Sequence, residues 1–519
     1  MKKFFFFLCT AFFSANLYAS NEMKILVHSF RNNGAPQYSW LSAGMTDTVI
    51  SDLGRIKSLT VISDSDRKNA IREAELGQTG LLGQKAVNAL GEMTGANTII
   101  TGNYSVKGNS VKVTVHILPV GISGHERTFK ATGTIDEIFE LQDKIVYGLL
   151  GEKGKDGGTV PSITDDEKRS IDNKYKPKLS AYELYAKGWE ISSKNPNGAL
   201  EFYRQSIEAD PEYAAPLVET GWIVGNVLGR PNDAIKYLRK AEDIMVRRKE
   251  TSSDKYASML NALGGVNISI GQSDTAIAYY LKTREMLEKL DKKNTYLYGN
   301  LLVNLGMAYQ NKNKLNDALE CYVQARQLFE SLNLQKSVNY AVLMLNIGNL
   351  CRDGNQPDTA LKYYNKSKEI FNQAPGGERY PDYAKLMLNM GMFYSNSKND
   401  TVLGGEYYRK SEELYRAAGL NNTEPYAALM FQMGVNESLK NDKLALSYYE
   451  KGRVIYENLG ISSSYNVGAL SWNTAIAYQN LNNKPKAGEN YRKACTIFGI
   501  IGETSLAQKA DERAKKLGY

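Results

Sequence analysis

A repeat of about 42 residues fills the chain from residue 181 onward, and it constrains the fold more than any other feature. One small residue marks the same position in eight successive copies: Gly188, Gly221, Gly264, Gly306, Gly348, Gly391, Gly434 and Ala475. The intervals between these positions are 33, 43, 42, 42, 43, 43 and 41 residues. This period is typical of a solenoid, because each unit must bury its apolar face against its neighbours.

Two further positions recur in every copy and predict a helical hairpin. Roughly twelve residues after the first small residue stands a second: Ala199, Ala234, Ala276, Ala318, Ala360, Gly404, Ala445 and Ala487. Four residues later comes an aromatic residue or a leucine: Tyr203, Leu238, Tyr280, Tyr322, Tyr364, Tyr408, Tyr449 and Tyr491. Small residues let two helices approach closely, and we expect the aromatic ring to fill the space against the next hairpin.

This pattern resembles the tetratricopeptide repeat (TPR), a helix-turn-helix unit of about 34 residues. Asp210-Pro211 ends the first copy as the family pattern does. Eight or so extra residues add about one turn to each helix, and elongated units of this size resemble those of cargo-adaptor and peptide-receptor proteins. The resemblance implies an α-solenoid of about eight hairpins over residues 181–502, followed by a capping helix over 503–519.

A row of carboxamides is the candidate binding site. In TPR proteins the first helix of each hairpin lines the inner surface. Two residues before the anchoring small residue, five consecutive copies carry Asn304, Asn346, Asn389, Gln432 and Asn473. A carboxamide both donates and accepts hydrogen bonds, so this amide row can hold the backbone of an extended peptide. It resembles the asparagine ladder of some long TPR superhelices. The alternative, which the sequence leaves open, is that these amides cap or bridge neighbouring helices.

Apolar side chains flank the amide row. One residue before it stand Val303, Leu345, Leu388, Phe431 and Trp472, and one residue after the anchor stand Met307, Asn349, Met392, Val435 and Ile476. Facing inward, they would form an apolar groove suited to an apolar peptide or helix. The alternative is packing between successive first helices. The predicted peptide-binding residues are Asn304, Asn346, Asn349, Asn389, Gln432, Asn473, Phe431 and Trp472.

Residues 23–150 predict a small α/β domain ahead of the repeats. Apolar and alternating runs predict strands at 24–30, 59–62, 97–106, 111–117 and 126–131, with helices at 40–53 and 135–150. Gly108-Asn109 is typical of a two-residue hairpin turn. The regular alternation in 111–117 predicts that one face of the sheet is exposed. We expect a mixed sheet with helices on one side.

The order of these segments resembles the TolB amino-terminal-domain-like family, which is related in fold to curli-secretion-type lipoprotein domains. The matching segments are 25–32, 41–47, 59–63, 94–104 and 138–143. The resemblance implies a protein-interaction module of the cell envelope and no catalytic residues. We interpret His28 and His116, which lie far apart in sequence, as structural or surface residues. The glycine-rich run 77–83 lacks the Lys-Ser/Thr of a phosphate-binding loop, so we interpret it as an inter-helix loop.

The first nineteen residues predict an export signal. Lys2 and Lys3 precede the apolar run from Phe4 to Phe13, and a cleavage site follows at Ala19. Ten residues reach only about half of the ~30 Å hydrocarbon core, so the run is too short for a membrane anchor. We therefore expect an exported, periplasmic protein of a Gram-negative-type bacterium. The remaining cysteines, Cys321, Cys351 and Cys495, are interpreted as buried apolar residues, with a disulfide as the alternative.

Composition and motifs favour binding over catalysis. The charge of +8 gives no argument for a nucleic-acid partner, and three histidines leave little material for a metal or histidine-based active site. A charged, glycine-rich segment at 151–180 predicts a flexible linker between two separately folding units. The sequence thus predicts a non-enzymatic, exported adaptor without a cofactor, which binds protein or peptide partners. The alternative is a sensor or regulatory subunit of an envelope assembly or signalling enzyme.

Overall fold

The structure is a computed structural model that describes residues 23–62, 67, 82–121, 126–150, 163–192, 195–374 and 380–519. Three predicted features fall outside the described residues. They are the export signal at 1–19, most of the glycine-rich run, at 77–81, and the first part of the predicted linker, at 151–162.

The N-terminal domain contains the predicted mixed sheet. Its strands are β1 (Met23–Val27), β2 (Arg31–Asn32), β3 (Leu59–Val61), β4 (Thr98–Lys107), β5 (Ser110–Pro119) and β6 (Arg127–Thr134). The order is β3-β1-β4-β5-β6, and β2 pairs with β4. Strand β1 is parallel to both β3 and β4, whereas β4, β5 and β6 are antiparallel. The predicted turn between β4 and β5 is present, with Gly108 in the left-handed region at φ 61°.

Helices cover both faces of this sheet, so the expectation of helices on one side is wrong. Helices α1 (Trp40–Leu53) and α3 (Ile138–Leu150) share a core with the inward side chains of β5. Helix α2 (Gln84–Thr94) packs on the opposite face in a second core. The reason lies in β1 and β4, whose consecutive apolar residues place buried side chains on both faces.

The described part of the predicted linker, residues 163–180, contains a helix and bonds to the sheet domain. Helix α4 (Asp165–Asp172) begins with a capping box between Thr164 and Glu167. Glu167 Oε1 also accepts a hydrogen bond from the Lys57 backbone N–H at 2.7 Å. Lys174 then pairs with Asp143 at 2.6 Å and with Asp52. These bonds anchor the segment to the sheet domain despite its low apolar content.

Eight helical hairpins follow, as the repeat predicts. Helices α5–α20 pair as Leu179–Ile191 with Pro196–Ala209, Ala214–Trp222 with Pro231–Arg247, Asp254–Ser269 with Ser273–Lys289, Tyr296–Asn311 with Leu315–Ser331, Val338–Asp353 with Pro357–Gln373, Pro381–Met392 with Thr401–Ala417, Glu424–Ser438 with Asp442–Asn458, and Tyr465–Asn480 with Lys484–Ile500. We call these pairs repeats 1–8, each with a first and a second helix. Helix α21 (Thr504–Lys516) caps the array.

The recurring small and aromatic residues hold each hairpin together. The second-helix tyrosines are at most 1% exposed. A Cβ atom added to Gly306 would lie 2.5 Å from Tyr322 Cε1, and Gly264 and Tyr280 make the same contact at 2.3 Å. These tyrosine rings therefore lie over the glycines of their own hairpins. The sequence pattern predicted packing against the next hairpin and did not predict this contact.

The sheet domain and repeat 1 share one hydrophobic core. Tyr182 packs edge-on against Trp40 and Phe139, and its hydroxyl accepts a hydrogen bond from Gln142 at 2.6 Å. Tyr185 is fully buried in the same core. This core therefore contains residues from both sides of the predicted division at 150/181.

Candidate functional site

The first helices form the wall of the solenoid that faces the sheet domain. From repeat 3, Lys255 Nζ lies 2.9 Å from Asp47 Oδ2 on α1. Lys292, which precedes repeat 4, pairs with Asp254 at 2.7 Å and also donates a hydrogen bond to the Gly54 carbonyl. These contacts place the sheet domain against the inner wall of the array.

The array also curves back on itself. A Cβ atom added at Gly229, in the turn of repeat 2, would lie 3.2 Å from Leu459 Cδ2 at the end of repeat 7. Repeats 2 and 7 therefore meet across the superhelix. The inner wall consequently surrounds a confined space.

A cavity of about 1500 Å³ occupies the space between the wall and the sheet domain. One side is formed mainly by α1 and β3, and the other mainly by the first helices of repeats 1–3 and the starts of those in repeats 4, 6 and 7. Four aromatic residues of the lining, Tyr182, Tyr185, Trp189 and Tyr415, are buried, whereas Trp222 of repeat 2 is 50% exposed. The cavity is large for a small-molecule site, and its volume suits a segment of polypeptide.

Two carboxylates at or near the cavity, Asp52 and Asp210, are bonded within the protein. Burial raises the pKa of the Asp52 carboxyl, while the neighbouring Lys174 and Arg55 oppose this shift. Burial also raises the pKa of Asp210, but hydrogen bonds from the Lys178 backbone and from Tyr175 outweigh it and hold that pKa below its ordinary value. These groups bond to other elements of the fold, so we assign them to structure.

The amide row lies between neighbouring first helices. Asn304 donates to Asn261 at 3.1 Å, and Asn389 donates to Asn349 at 2.9 Å. Tyr364 donates to the same Asn349 oxygen at 2.8 Å. These three bonds have the bridging geometry that was the alternative to a peptide-binding role.

Exposure divides the predicted residues into two groups. Asn346 and Asn389 are buried, and the half-buried amides are Asn304, Asn349, Gln432 and Asn473. Phe431 is buried with its ring 6.1 Å from that of Tyr449, and Trp472 packs edge-on against Tyr491. Phe431 thus packs within repeat 7, and Trp472 packs within repeat 8 and against Arg513 of the capping helix.

None of the eight predicted residues lines the cavity. The cavity itself was not predicted from the sequence. The signal for Trp222 was present, because it follows the anchor Gly221 as Met307 follows Gly306. Extending the flanking row back to repeat 2 would have included it. The sheet domain lies opposite Trp222 because the whole array curves, and a local sequence pattern does not specify that curvature.

A second polar row pairs the buried tyrosine hydroxyls with the ends of the first helices. Tyr322 donates to Gln310 at 3.1 Å, and Tyr491 donates to Gln479 at 3.0 Å. In repeat 3 the equivalent position is Ile268, and the Tyr280 hydroxyl has no hydrogen-bond partner among the described residues. Burial raises the pKa of Tyr280, so this hydroxyl stays protonated.

Metal sites, reactive cysteines and membrane-spanning helices are the remaining features to consider in the described part of the chain. Within residues 23–519 and outside their gaps, no cluster of three or more His, Cys, Asp or Glu side chains is arranged to hold a metal ion. The three cysteines there are free, and burial raises the pKa of Cys321 to about 11. No helix among the described residues is long and apolar enough to cross a membrane.

Comparison with known proteins agrees with the hairpin geometry. A tetratricopeptide-repeat family model matches residues 297–373, which span repeats 4 and 5. The helical array is a TPR-like solenoid. Its other hairpins carry the same small and aromatic positions as the matched pair. No curated protein matches the chain.

Among solved structures, the chain is similar to a Rap protein complexed with Competence and Sporulation Factor, with 12% identity over 65% of this chain and 92% of that one and a TM-score of 0.49. BtubC from P. vanneervenii shares 17% identity over 44% of this chain and 92% of its own, with a TM-score of 0.37. The Cut9-Hcn1 hetero-tetramer of APC/C shares 16% identity over 72% and 63%, with a TM-score of 0.44. At these identities and scores, the similarities carry no assignment of function.

Proposed function

We propose that this chain is a non-enzymatic scaffold that binds polypeptide partners on the inner wall of its TPR-like solenoid. The observation that carries the proposal is the cavity of about 1500 Å³ between that wall and the sheet domain. Trp222 is half-exposed inside it, and exposed aromatic side chains in concave sites are frequent anchors of protein partners.

The amide row has two roles in this proposal. The half-buried amides of Asn304, Asn349, Gln432 and Asn473 extend the binding surface beyond the cavity, where they offer donors and acceptors to a peptide backbone. The buried Asn346 and Asn389 contribute to the wall itself, as do Phe431 and Trp472. The partner therefore binds to a wall in which these buried residues already make hydrogen bonds or packing contacts within the protein.

The location we propose is the periplasm, on the basis of the predicted signal at 1–19. The sheet domain then serves as a second docking module, because the side chains of Lys112, Thr114 and His116 lie on its more exposed face. Cell fractionation tests the location. We expect a mature chain that begins at Ser20 in the periplasmic fraction, and a full-length chain confined to the cytoplasm would contradict export.

Affinity capture from envelope fractions tests the binding role. The informative variant is Asn304→Ala with Gln432→Ala, which removes two half-buried amides of the inner wall. Its matched control is Asn490→Ala with Gln324→Ala, which removes the same two side-chain types from second helices. We expect partner recovery to fall at least severalfold for the first pair only, with helical content unchanged in both. Equal recovery from the two variants would contradict a role for the amide row.

A further inference from the structure

Repeat 3 presents a different inner wall from its neighbours. Its first helix carries Ser258, Ala262 and Gly265 at successive turns of one face, and all three are at least partly exposed. In repeat 4 the same positions hold Asn300, Asn304 and Met307. The small residues leave a trough along repeat 3, which opens into the cavity at Ser258 and Ala262.

Trp222, on the neighbouring repeat 2 helix, lines the same cavity as Ser258 and Ala262. A Cβ atom added at Gly225 would lie 2.8 Å from Val266 Cγ1, so the end of the repeat 2 helix lies directly against repeat 3 beside Gly265. Trp222 precedes Gly225 by about one turn, and its side chain is 50% exposed. The exposed indole ring of Trp222 therefore lies on the helix that borders the trough of repeat 3.

A buried hydroxyl points to a ligand at the same place. Tyr280 is fully buried, and its hydroxyl lies 3.9 Å from where a Cβ atom of Gly265 would be, with no other non-neighbouring atom within 4 Å of that position. In repeats 4 and 8 the equivalent hydroxyl donates to a glutamine, but here it has no partner among the described residues. A buried hydroxyl without an acceptor costs stability, and a bound carbonyl group can supply the acceptor.

We propose that this trough binds an extended polypeptide segment that carries a large apolar side chain, which packs against Trp222. This inference rests on the proposed function and specifies its ligand. The trough runs from Ser258 to Gly265, seven steps or about 10 Å along the helix, which matches about three residues of extended chain. Lys255, at the start of the same face, is already paired with Asp47 at 2.9 Å, so its charge is not available to select an acidic side chain.

A phage-displayed library of random 12-residue peptides, selected on the full mature chain, is the probe. We expect the selected peptides to share an aromatic or long aliphatic residue. Gly265→Leu, which fills the trough where space is open, and Trp222→Ala should each weaken the binding of a selected peptide at least tenfold. The matched control is Gly499→Leu, on a second helix, where an added Cβ atom meets nothing within 4 Å.

The outcomes separate this inference from the proposed function. Selected peptides that bind Gly265→Leu and Trp222→Ala as tightly as the unmodified chain would overturn the trough and leave inner-wall binding in place. Failure to select any peptide would contradict both. Circular dichroism and thermal melting show whether each variant is folded. If Gly265→Leu does not fold, Trp222→Ala still tests the proposal.

Discussion

At the scale of single residues, the wall depends on hydrogen bonds that connect positions about 40 residues apart. Asn304 and Asn389 were recognisable from their spacing, because an amide at one repeat position is conspicuous in the sequence. Of their partners, Asn349 was also predicted, in the row after the anchor, but Asn261 was not, because the predicted rows begin at repeat 4. Which side chain an amide reaches is set by the offset between neighbouring helices, and the sequence gives no direct measure of that offset.

The buried tyrosines supply a paired prediction. Tyr322→Phe removes the hydrogen bond to Gln310, so we expect the free energy of unfolding to fall by about 1 kcal/mol. Tyr280→Phe removes a hydroxyl that has no partner among the described residues, so we expect unchanged or slightly higher stability. Urea denaturation followed by circular dichroism measures both. Equal losses would mean that the two hydroxyls are equally well satisfied.

Glu167 gives a prediction for pH. Burial raises the pKa of its carboxyl, but hydrogen bonds from the Lys57 backbone and from Thr164 outweigh this and hold the pKa below its ordinary value. The folded state therefore binds this proton less readily than the unfolded state. The stabilisation is complete above the unfolded pKa of about 4.3 and is lost as the pH falls through the lower folded value.

We expect Glu167→Gln to cost about 1 to 2 kcal/mol at pH 7, because a charged acceptor is lost at a buried capping box. The difference between variant and unmodified chain should shrink as the pH falls below about 4.3. Thermal melting from pH 7 down to the acid limit measures it, with Glu406→Gln, an exposed carboxylate of repeat 6, as the control. A difference that stays constant with pH would exclude the assigned role.

At the scale of elements, the hairpins follow from the repeat almost directly. The helix α1 was predicted with its observed bounds, and every anchoring glycine lies in a first helix. Repeats 2 and 6 contain π-helical turns at Ile223–Val227 and Phe393–Ser397. Their small residues are 13 apart, as in Gly221 and Ala234, whereas Gly306 and Ala318 are 12 apart. The extra residue is absorbed as a π turn, a signal that counting alone would have revealed.

Two adjacent glycines test the hairpin packing. Gly264→Ala would place a Cβ atom 2.3 Å from the buried Tyr280 ring, so we expect a loss of about 1 kcal/mol or more. Gly265→Ala meets only the Tyr280 hydroxyl at 3.9 Å, so we expect a gain of about 0.5 to 1 kcal/mol from the lower backbone entropy of the unfolded chain. Chemical denaturation of the two variants decides. Effects of the same sign would contradict the packing described.

At the scale of the whole molecule, the sequence predicted the two architectures but not their arrangement. The tyrosines of repeat 1 read as ordinary solenoid residues, yet Tyr182 and Tyr185 complete the core of the sheet domain. The meeting of repeats 2 and 7 depends on small rotations accumulated over five intervals, which no local pattern specifies. The cavity arises from both features, and so it could not be predicted.

The shared core predicts coupled stability. Tyr182→Ala removes a buried ring between Trp40 and Phe139, so we expect a loss of about 3 to 5 kcal/mol. Hydrogen exchange should show amides of β5 and of repeat 1 losing protection together, because both contribute to this core. Tyr237→Ala, at a 38% exposed position, should change neither. Loss of protection confined to repeat 1 would mean that the sheet domain is stable without it.

Photo-crosslinking in cells that produce the chain tests the central claim most directly. A benzophenone amino acid replaces Trp222 on the inner wall or Tyr237 on the outer second helix of the same repeat. If the inner wall holds a polypeptide partner, irradiation should give protein adducts from position 222 and few from position 237. Adducts from position 237 alone would contradict the account.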